Sequence, residues 1–183
     1  MENSKTAFLK ISLKNGLITG GLMIIYSIII YVFDINMFSF VFGILMFLIT
    51  FGLLITFMVI TMNQYKRKIL EGQINYWQCF FAGLVMALVA MWFSGIFNYL
   101  FYGLYDTEYM PKQIEKFAEM MQGYGLEGDK LHEQVFNMQE KMQPLKQFIS
   151  NLYMVPAISI VISLIVSAFI KKNDETAPKD VIR

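Results

Sequence analysis

WQCFFAGLVMALVAMWFSGIFNYLFY, residues 77–102, is the stretch that decides the fold of this chain. It contains no Asp, Glu, Lys, Arg or His in 26 residues. At ~1.5 Å per residue, a helix of this length crosses a hydrocarbon layer of ~30 Å. Small residues recur along it at helical spacing, as Gly83, Ala87, Ala90 and Ser94, and Asn98 continues the row. Such a face predicts close packing against another helix, with a side-chain hydrogen bond from the amide.

Three more apolar runs, residues 13–33, 37–62 and 148–170, exceed the ~18 residues that a membrane-spanning helix needs. None of the four runs alternates polar and apolar positions, which excludes a β-barrel. We therefore predict an all-α membrane protein, one integral domain over residues 1–183, with four transmembrane helices in an up-down bundle. A helical extracytoplasmic loop, about 106–146, joins helices three and four, and residues 171–183 form a cytoplasmic tail.

The charged residues are distributed unevenly although the formal net charge is only +1. Ten basic residues flank the spans on one predicted side, in residues 5–14, 66–68 and 171–183. The loop between spans three and four instead holds eight acidic residues against five lysines. Because Lys and Arg near the spans favour the cytoplasmic side, both termini are predicted to be cytoplasmic.

Two other spans carry small residues at a spacing of four, Gly16 and Gly20 in the first and Ser159, Ser163 and Ser167 in the last. We expect the serine row to pack against the small face of the third span, with the glycine pair joining them. Asn98 is expected to hydrogen-bond a facing helix, at Tyr26 or Ser159.

The long loop has two amphipathic segments. Pro111 suits the first turn of a helix that carries Ile114 and Phe117, and glycines at 123, 125 and 128 form a turn. A second helix, with Asp129 as N-cap and Pro144 ending or bending it, presents one apolar seam: Leu131, Val135, Met138, Met142 and Leu145. The seam would cover the rim of the bundle, the membrane surface or a partner protein.

Catalysis has little support in the sequence. No ionisable residue lies well inside a span, which disfavours ion-coupled transport and proton relays. The sole histidine, His132, and the sole cysteine, Cys79, fall on opposite predicted sides, so they cannot share a zinc site. A copper(I) site would use His132 with Met120, Met121, Met138 or Met142, but methionine is also ordinary packing material. We predict no catalytic residue, metal or cofactor, and the absence of a basic face argues against nucleic acid.

One combination of short motifs is more specific. A basic helix end at 66–68 precedes a glycine turn at Gly72, an aromatic-Gln start at 76–78 and a third span that ends in FNYLFY. A loop rich in Glu, Gln and Met, the Ser159–Ser167 row and Lys171-Lys172 follow. This order resembles the domain-of-unknown-function family 4199, found chiefly in Bacteroidota. The chain departs from that family at Tyr76-Trp77, where members often have Phe-Gly, and at Asp106-Thr107, where they often have Asp-Pro.

The resemblance implies a multi-pass protein of the bacterial inner (cytoplasmic) membrane and supplies no reaction. We therefore expect a non-enzymatic accessory, scaffold or interaction subunit that works through helix packing and its outward loop. The alternative is a small-molecule or lipid transporter or channel that acts as an oligomer. The expected partners are the lipid bilayer and a membrane or periplasmic protein, with the oligomeric state left open.

Overall fold

The computed structural model describes residues 2–70 and 74–176, and in these ranges the ordered elements are helical, without a β-strand. The six α-helices are α1 (Glu2–Val32), α2 (Phe40–Ile69), α3 (Tyr76–Leu100), α4 (Tyr109–Gly123), α5 (Gly128–Lys141) and α6 (Pro144–Thr176). A π-helical turn, Phe101–Tyr105, extends α3. The predicted glycine turn at Gly72 and the end of the predicted tail, 177–183, lie outside the described residues.

Four helices are long and apolar enough to cross a membrane, as the hydropathy of the sequence predicts. The candidate spans are Thr6–Val32, Phe40–Ile69, Tyr76–Tyr105 and Pro144–Lys171. The first starts earlier than predicted because α1 is already helical before Leu13; Phe8 in this segment packs edge-on against Tyr65 of α2, with ring centroids 5.2 Å apart. The last also starts earlier, because Pro144 begins α6 instead of ending α5; proline lacks the N–H that a first helical turn leaves unpaired.

Helix α3 lies at the centre of the bundle, with α1 on one side and α6 on the other. The Ser12 hydroxyl of α1 donates to the Ala82 carbonyl (3.4 Å), and the Ser163 hydroxyl of α6 donates to the Phe80 carbonyl (2.6 Å). We call the end where α1 begins and α6 finishes the terminal end, and the opposite one the loop end. Large side chains from α2 and α3 fill the terminal half at 0–2% exposure, namely Leu54, Met58, Met62 and Met86.

A buried amide joins α1 to α2 in the same half. Asn15 is 3% exposed, and its Nδ2 donates to Thr61 Oγ1 (3.0 Å) and to Gln64 Oε1 (3.1 Å). An amide in an apolar layer costs free energy unless it is hydrogen-bonded, so this contact fixes the pairing of the two helices. We did not predict it, although Asn15 is the one amide in the first apolar run.

The connection from α1 to α2 is longer than the tight turn predicted at residues 34–36. It covers residues 33–39, because α1 ends at Val32 and α2 begins at Phe40. Asn36 Oδ1 accepts a hydrogen bond from the Phe38 N–H (2.9 Å), and Asp34 adopts a positive φ of 46°. This looped backbone presents its polar groups to the elements that lie over the loop end.

Two glycines of α1 give a matched test of close packing. A Cβ at Gly16 would lie 2.8 Å from the Met86 carbonyl oxygen, whereas a Cβ at Gly21 meets nothing within 4 Å. We expect Gly16→Ala to destabilise the bundle by about 1–3 kcal/mol through overpacking against backbone. Gly21→Ala should stabilise it by about 0.5–1 kcal/mol, since alanine loses less backbone entropy in a helix. Thermal unfolding in detergent micelles measures both, and a higher midpoint for Gly16→Ala would contradict this packing.

Candidate functional site: the loop helices and the faces around α3

Helix α4 is attached to the 33–39 connection by three polar residues, which we call the α4 clamp: Asp34, Gln113 and Lys116. Gln113 is completely buried; its Oε1 accepts from the Met37 N–H (3.3 Å) and its Nε2 donates to Asp34 Oδ1 (3.3 Å). The Lys116 ammonium lies 2.6 Å from the same carboxylate oxygen and also donates to the Asp34 carbonyl (3.0 Å). The clamp therefore fixes α4 across the loop end.

Sequence reasoning did not single out Gln113. The signal was its position among the apolar residues of α4, because Met110, Gln113 and Phe117 fall on one face at spacings of three and four. A buried glutamine inside an otherwise apolar face requires a hydrogen-bond partner. That partner, Asp34, is far away in the sequence, so the pair could be identified only once both were placed.

The start of α4 is set by Asp106, three residues before Tyr109. Its Oδ1 accepts from the N–H groups of Glu108 (3.2 Å) and Tyr109 (3.1 Å), and its Oδ2 accepts from the Tyr31 hydroxyl (2.8 Å). The π-helical turn brings Asp106 there, since the Asp106 N–H bonds to the carbonyl of Phe101, five residues back. Pro111 lies in the first turn of α4, as predicted.

Tyrosine rings fill the space under α4. Tyr109 is stacked on Tyr102, with centroids 5.1 Å apart, and is tilted against Tyr31 at 5.0 Å. Burial is the main cause that raises the pKa of the Tyr109 phenol, and neighbouring phenols and carboxylates raise it further. The phenol is therefore neutral at physiological pH. Its oxygen has no hydrogen-bond partner within the described part of the chain.

Helix α5, in contrast, has no buried residue. The predicted seam lies only half-buried at Leu131, Val135, Met138 and Met142, while Leu145 belongs to α6 and is 56% exposed. Phe136, which the seam did not include, is 59% exposed. The prediction of Asp129 as N-cap is wrong, because the cap is Glu127 and Gly128 takes a positive φ of 63°.

The far end of α5 is joined to α6 by an ion pair between Glu140 and Lys146, with nitrogen and oxygen 2.5 Å apart. The hydrogen bond from the Lys146 ammonium lowers the pKa of the exposed Glu140 carboxyl. Both side chains are about half exposed, so the pair contributes little to stability.

The structure places all three small-residue patches against or along α3. A Cβ at Gly83 would lie 2.8 Å from Ser163 Oγ, and a Cβ at Gly20 would lie 2.8 Å from the Ala90 carbonyl. Ala87 and Ala90 are fully buried, as are Ser159, Ser163 and Ser167. Ser94 and Asn98, at the other end of the row, are half-buried.

Asn98 bonds to α1 through Ser27, whose hydroxyl donates to Asn98 Oδ1 at 3.1 Å; the same hydroxyl lies 3.0 Å from the Tyr102 hydroxyl. Tyr26 and Ser159 were the expected partners. Helices α1 and α3 run parallel with a sequence offset of 70 or 71, as the Ser12–Ala82 and Ser27–Asn98 pairs show. Adjacent helical residues point about 100° apart, so this register selects residue 27.

The residues weighed for metal binding lie apart. Cys79 is buried on α3 at the terminal end, and His132 is exposed on α5 at the loop end. Over residues 2–70 and 74–176, no three His, Cys, Asp or Glu side chains come together as a candidate metal site.

Comparison with known proteins gives one match. A family model described as "Protein of unknown function (DUF4199)" matches residues 14–172. No curated protein and no solved structure matches the chain.

The α4 clamp predicts a local effect of one substitution. Gln113→Ala removes both hydrogen bonds of a fully buried amide and leaves the Met37 N–H unpaired. We expect the free energy needed to undock α4 from the 33–39 connection to fall by about 1–3 kcal/mol. Its amides should then exchange hydrogen roughly ten- to a hundredfold faster in micelles. Gln122→Ala, at an exposed position of the same helix, is the control and should leave exchange unchanged; equal rates in both variants would contradict the clamp.

Proposed function

The chain belongs to the DUF4199 family, whose function is unknown, and from its architecture we propose that it is a non-enzymatic accessory or interaction subunit located in a membrane. In this proposal the four long helices form an up-down bundle in the bacterial inner membrane. Both termini are cytoplasmic, and α4 and α5 lie outside. The basic residues near the spans at the terminal end support this orientation.

The observation that carries the proposal is the contrast between the two loop helices. Helix α4 is fixed by the clamp and by Phe117, which packs against Phe38 with ring centroids 5.0 Å apart. Helix α5 has no buried residue; it exposes Phe136, and the residues of its apolar seam are only half-buried. A rigid base that presents a partly apolar helix is an arrangement suited to helix-mediated recognition.

The packing also bears on the transporter alternative. Leu54, Met58, Met62 and Met86 fill the space between α2 and α3 in the terminal half. A close-packed core of this kind leaves no continuous path through that half of one copy. Transport would therefore require the terminal half to open or several copies to assemble, which is why we place the interaction role first.

The orientation is tested by the accessibility of single cysteines to a membrane-impermeant maleimide. The native Cys79 is completely buried, so the wild type provides a low background. We expect Glu127→Cys, in the loop, to be labelled in spheroplasts. Arg67→Cys, at the terminal end, should be labelled only after the membrane is disrupted. The reverse pattern would place the termini outside and overturn the proposed orientation.

The interaction role is tested by a photo-crosslinking amino acid at position 136, compared with position 119 on α4, which is also exposed. In native membranes we expect one protein adduct of defined mass from position 136 and none from position 119. An adduct of twice the chain mass would identify a second copy as the partner. Lipid adducts alone would show that α5 rests on the membrane. The same adducts from both positions would show that the contact is not specific to α5, and either result would contradict the proposal.

A further inference from the structure

The loop half of the bundle contains a partly open cavity of about 270 Å³, in contrast to the filled terminal half. It lies among α1, α2, α3 and the start of α6, with Met110 of α4 and Met142 above it. Its polar lining includes five side chains from α1, α2, α3 and α6: Tyr26, Thr50, Ser94, Asn98 and Gln147. The Tyr102–Ser27–Asn98 contacts form part of its wall.

Several of these polar groups have no hydrogen-bond partner within residues 2–70 and 74–176. Asn98 uses only its Oδ1, to accept from Ser27, so its amide N–H groups remain available. Among the described residues, no hydrogen bond is formed by the side chains of Thr50 and Gln147, nor by Asn151, which borders the adjoining space. Polar groups that face an apolar layer without a partner cost free energy, so a molecule that supplies partners would bind favourably.

The chemistry of the lining selects the kind of molecule. Among the described residues, no Asp, Glu, Lys, Arg or His lines this cavity. An ionised ligand would be buried there without a counter-charge, which is strongly unfavourable. Hydroxyl and amide groups pair well with carbonyl and hydroxyl oxygens. Met23, Met37 and Met46 add flexible, polarisable walls that adapt to rings and chains.

Two further spaces adjoin α3 and α6 around Gly95, towards the side of the bundle, and we call this position the gap. A second cavity of about 180 Å³ shares Thr50 and Asn98 with the first and reaches Met91, Gly95 and Asn151. The same three residues also line an apolar groove of about 220 Å³ on the outer surface. A Cβ at Gly95 would lie 3.9 Å from Asn151 Nδ2, its one contact within 4 Å, so at this position α3 places no side chain between the second cavity and the groove.

The outer groove has the opposite character from the cavity. Its walls are Trp92, Ile96, Phe148 and Leu152. In the proposed orientation they face the hydrocarbon of the bilayer. Polar groups inside and an apolar groove outside, joined at Gly95, match a molecule with a polar head and an apolar tail.

We propose that the loop half of the bundle binds an uncharged, lipid-soluble molecule whose head carries carbonyl or hydroxyl oxygens and which enters from the bilayer between α3 and α6 at Gly95. The head is hydrogen-bonded by the Asn98 amide and the Thr50 hydroxyl, and the tail lies in the outer groove. Isoprenoid quinones and diacylglycerols share this chemistry. The polar contacts of the site come from α2 and α3, and of the α5 seam only Met142 borders the cavity, so the proposal does not depend on the proposed interaction role.

The test uses the full chain in phosphatidylcholine nanodiscs and measures the thermal midpoint with added probes, because a ligand that binds only the folded state raises it. The probes are decylubiquinone, dioctanoylglycerol and the anion dodecyl phosphate. We expect one or both neutral probes to raise the midpoint and the anion to leave it unchanged. A quinone effect alone or a glyceride effect alone identifies the source of the head group. No effect from either neutral probe, or an equal effect from the anion, would overturn the proposal.

Two variants test the route and the contacts. Gly95→Leu fills the gap and should abolish the probe-induced rise; Gly52→Leu, on α2 with nothing within 4 Å of its Cβ, should retain it. Thr50→Val removes an unpartnered hydroxyl at constant shape, so it should fold normally and bind about tenfold more weakly. Wild-type binding in both Gly95→Leu and Thr50→Val would overturn the assignment. If Gly95→Leu fails to fold, the affinity of Thr50→Val decides alone.

Discussion

The bundle depends on the close approach of two helices to the backbone of α3. Along Phe80–Ala90, glycine and alanine leave carbonyl groups within reach of neighbouring side chains, and Ser12 and Ser163 donate to them from opposite sides. In an apolar layer there is no hydrophobic driving force between helices, so van der Waals contact and such hydrogen bonds hold them together. Helix α2, without a row of small residues, buries the smallest share of its span.

The same constraint explains where the bundle stops being closely packed. Beyond Ala90 the row continues only as Ser94 and Asn98, which are half-buried, and Gly95 no longer contacts a neighbouring helix closely. The space that remains is lined by amides, hydroxyls and methionines, all uncharged. The small residues of α3 up to Ala90 therefore bring the neighbouring helices into close contact, whereas nearer the loop end Gly95 leaves a gap.

The loop end is held by a different kind of interaction. The carboxylate of Asp34 accepts a hydrogen bond from the Gln113 amide and pairs with the Lys116 ammonium. Asp34 has a positive φ, and its backbone carbonyl accepts a hydrogen bond from the same lysine. A second carboxylate, that of Asp106, begins α4 and binds Tyr31. Because these contacts lie at the edge of the apolar layer, ion pairing is available there. Helix α5 begins 12 residues after Lys116, takes no part in these contacts and has no buried residue.

The amino-acid sequence by itself determined four long apolar helices and two amphipathic helices between the third and fourth, because hydropathy and helical spacing are local properties of the chain. It also identified the residues of the small faces, since Gly83, Ala87 and Ser163 stand out by size and spacing alone. The tertiary structure decided which faces meet: Ser27 instead of Tyr26 at Asn98, Asn15 against Thr61, and Gln113 against Asp34. Those pairs depend on helix register and crossing, which no local pattern encodes. The cavity beside Gly95 has the same origin, because an empty space is defined only by the helices around it.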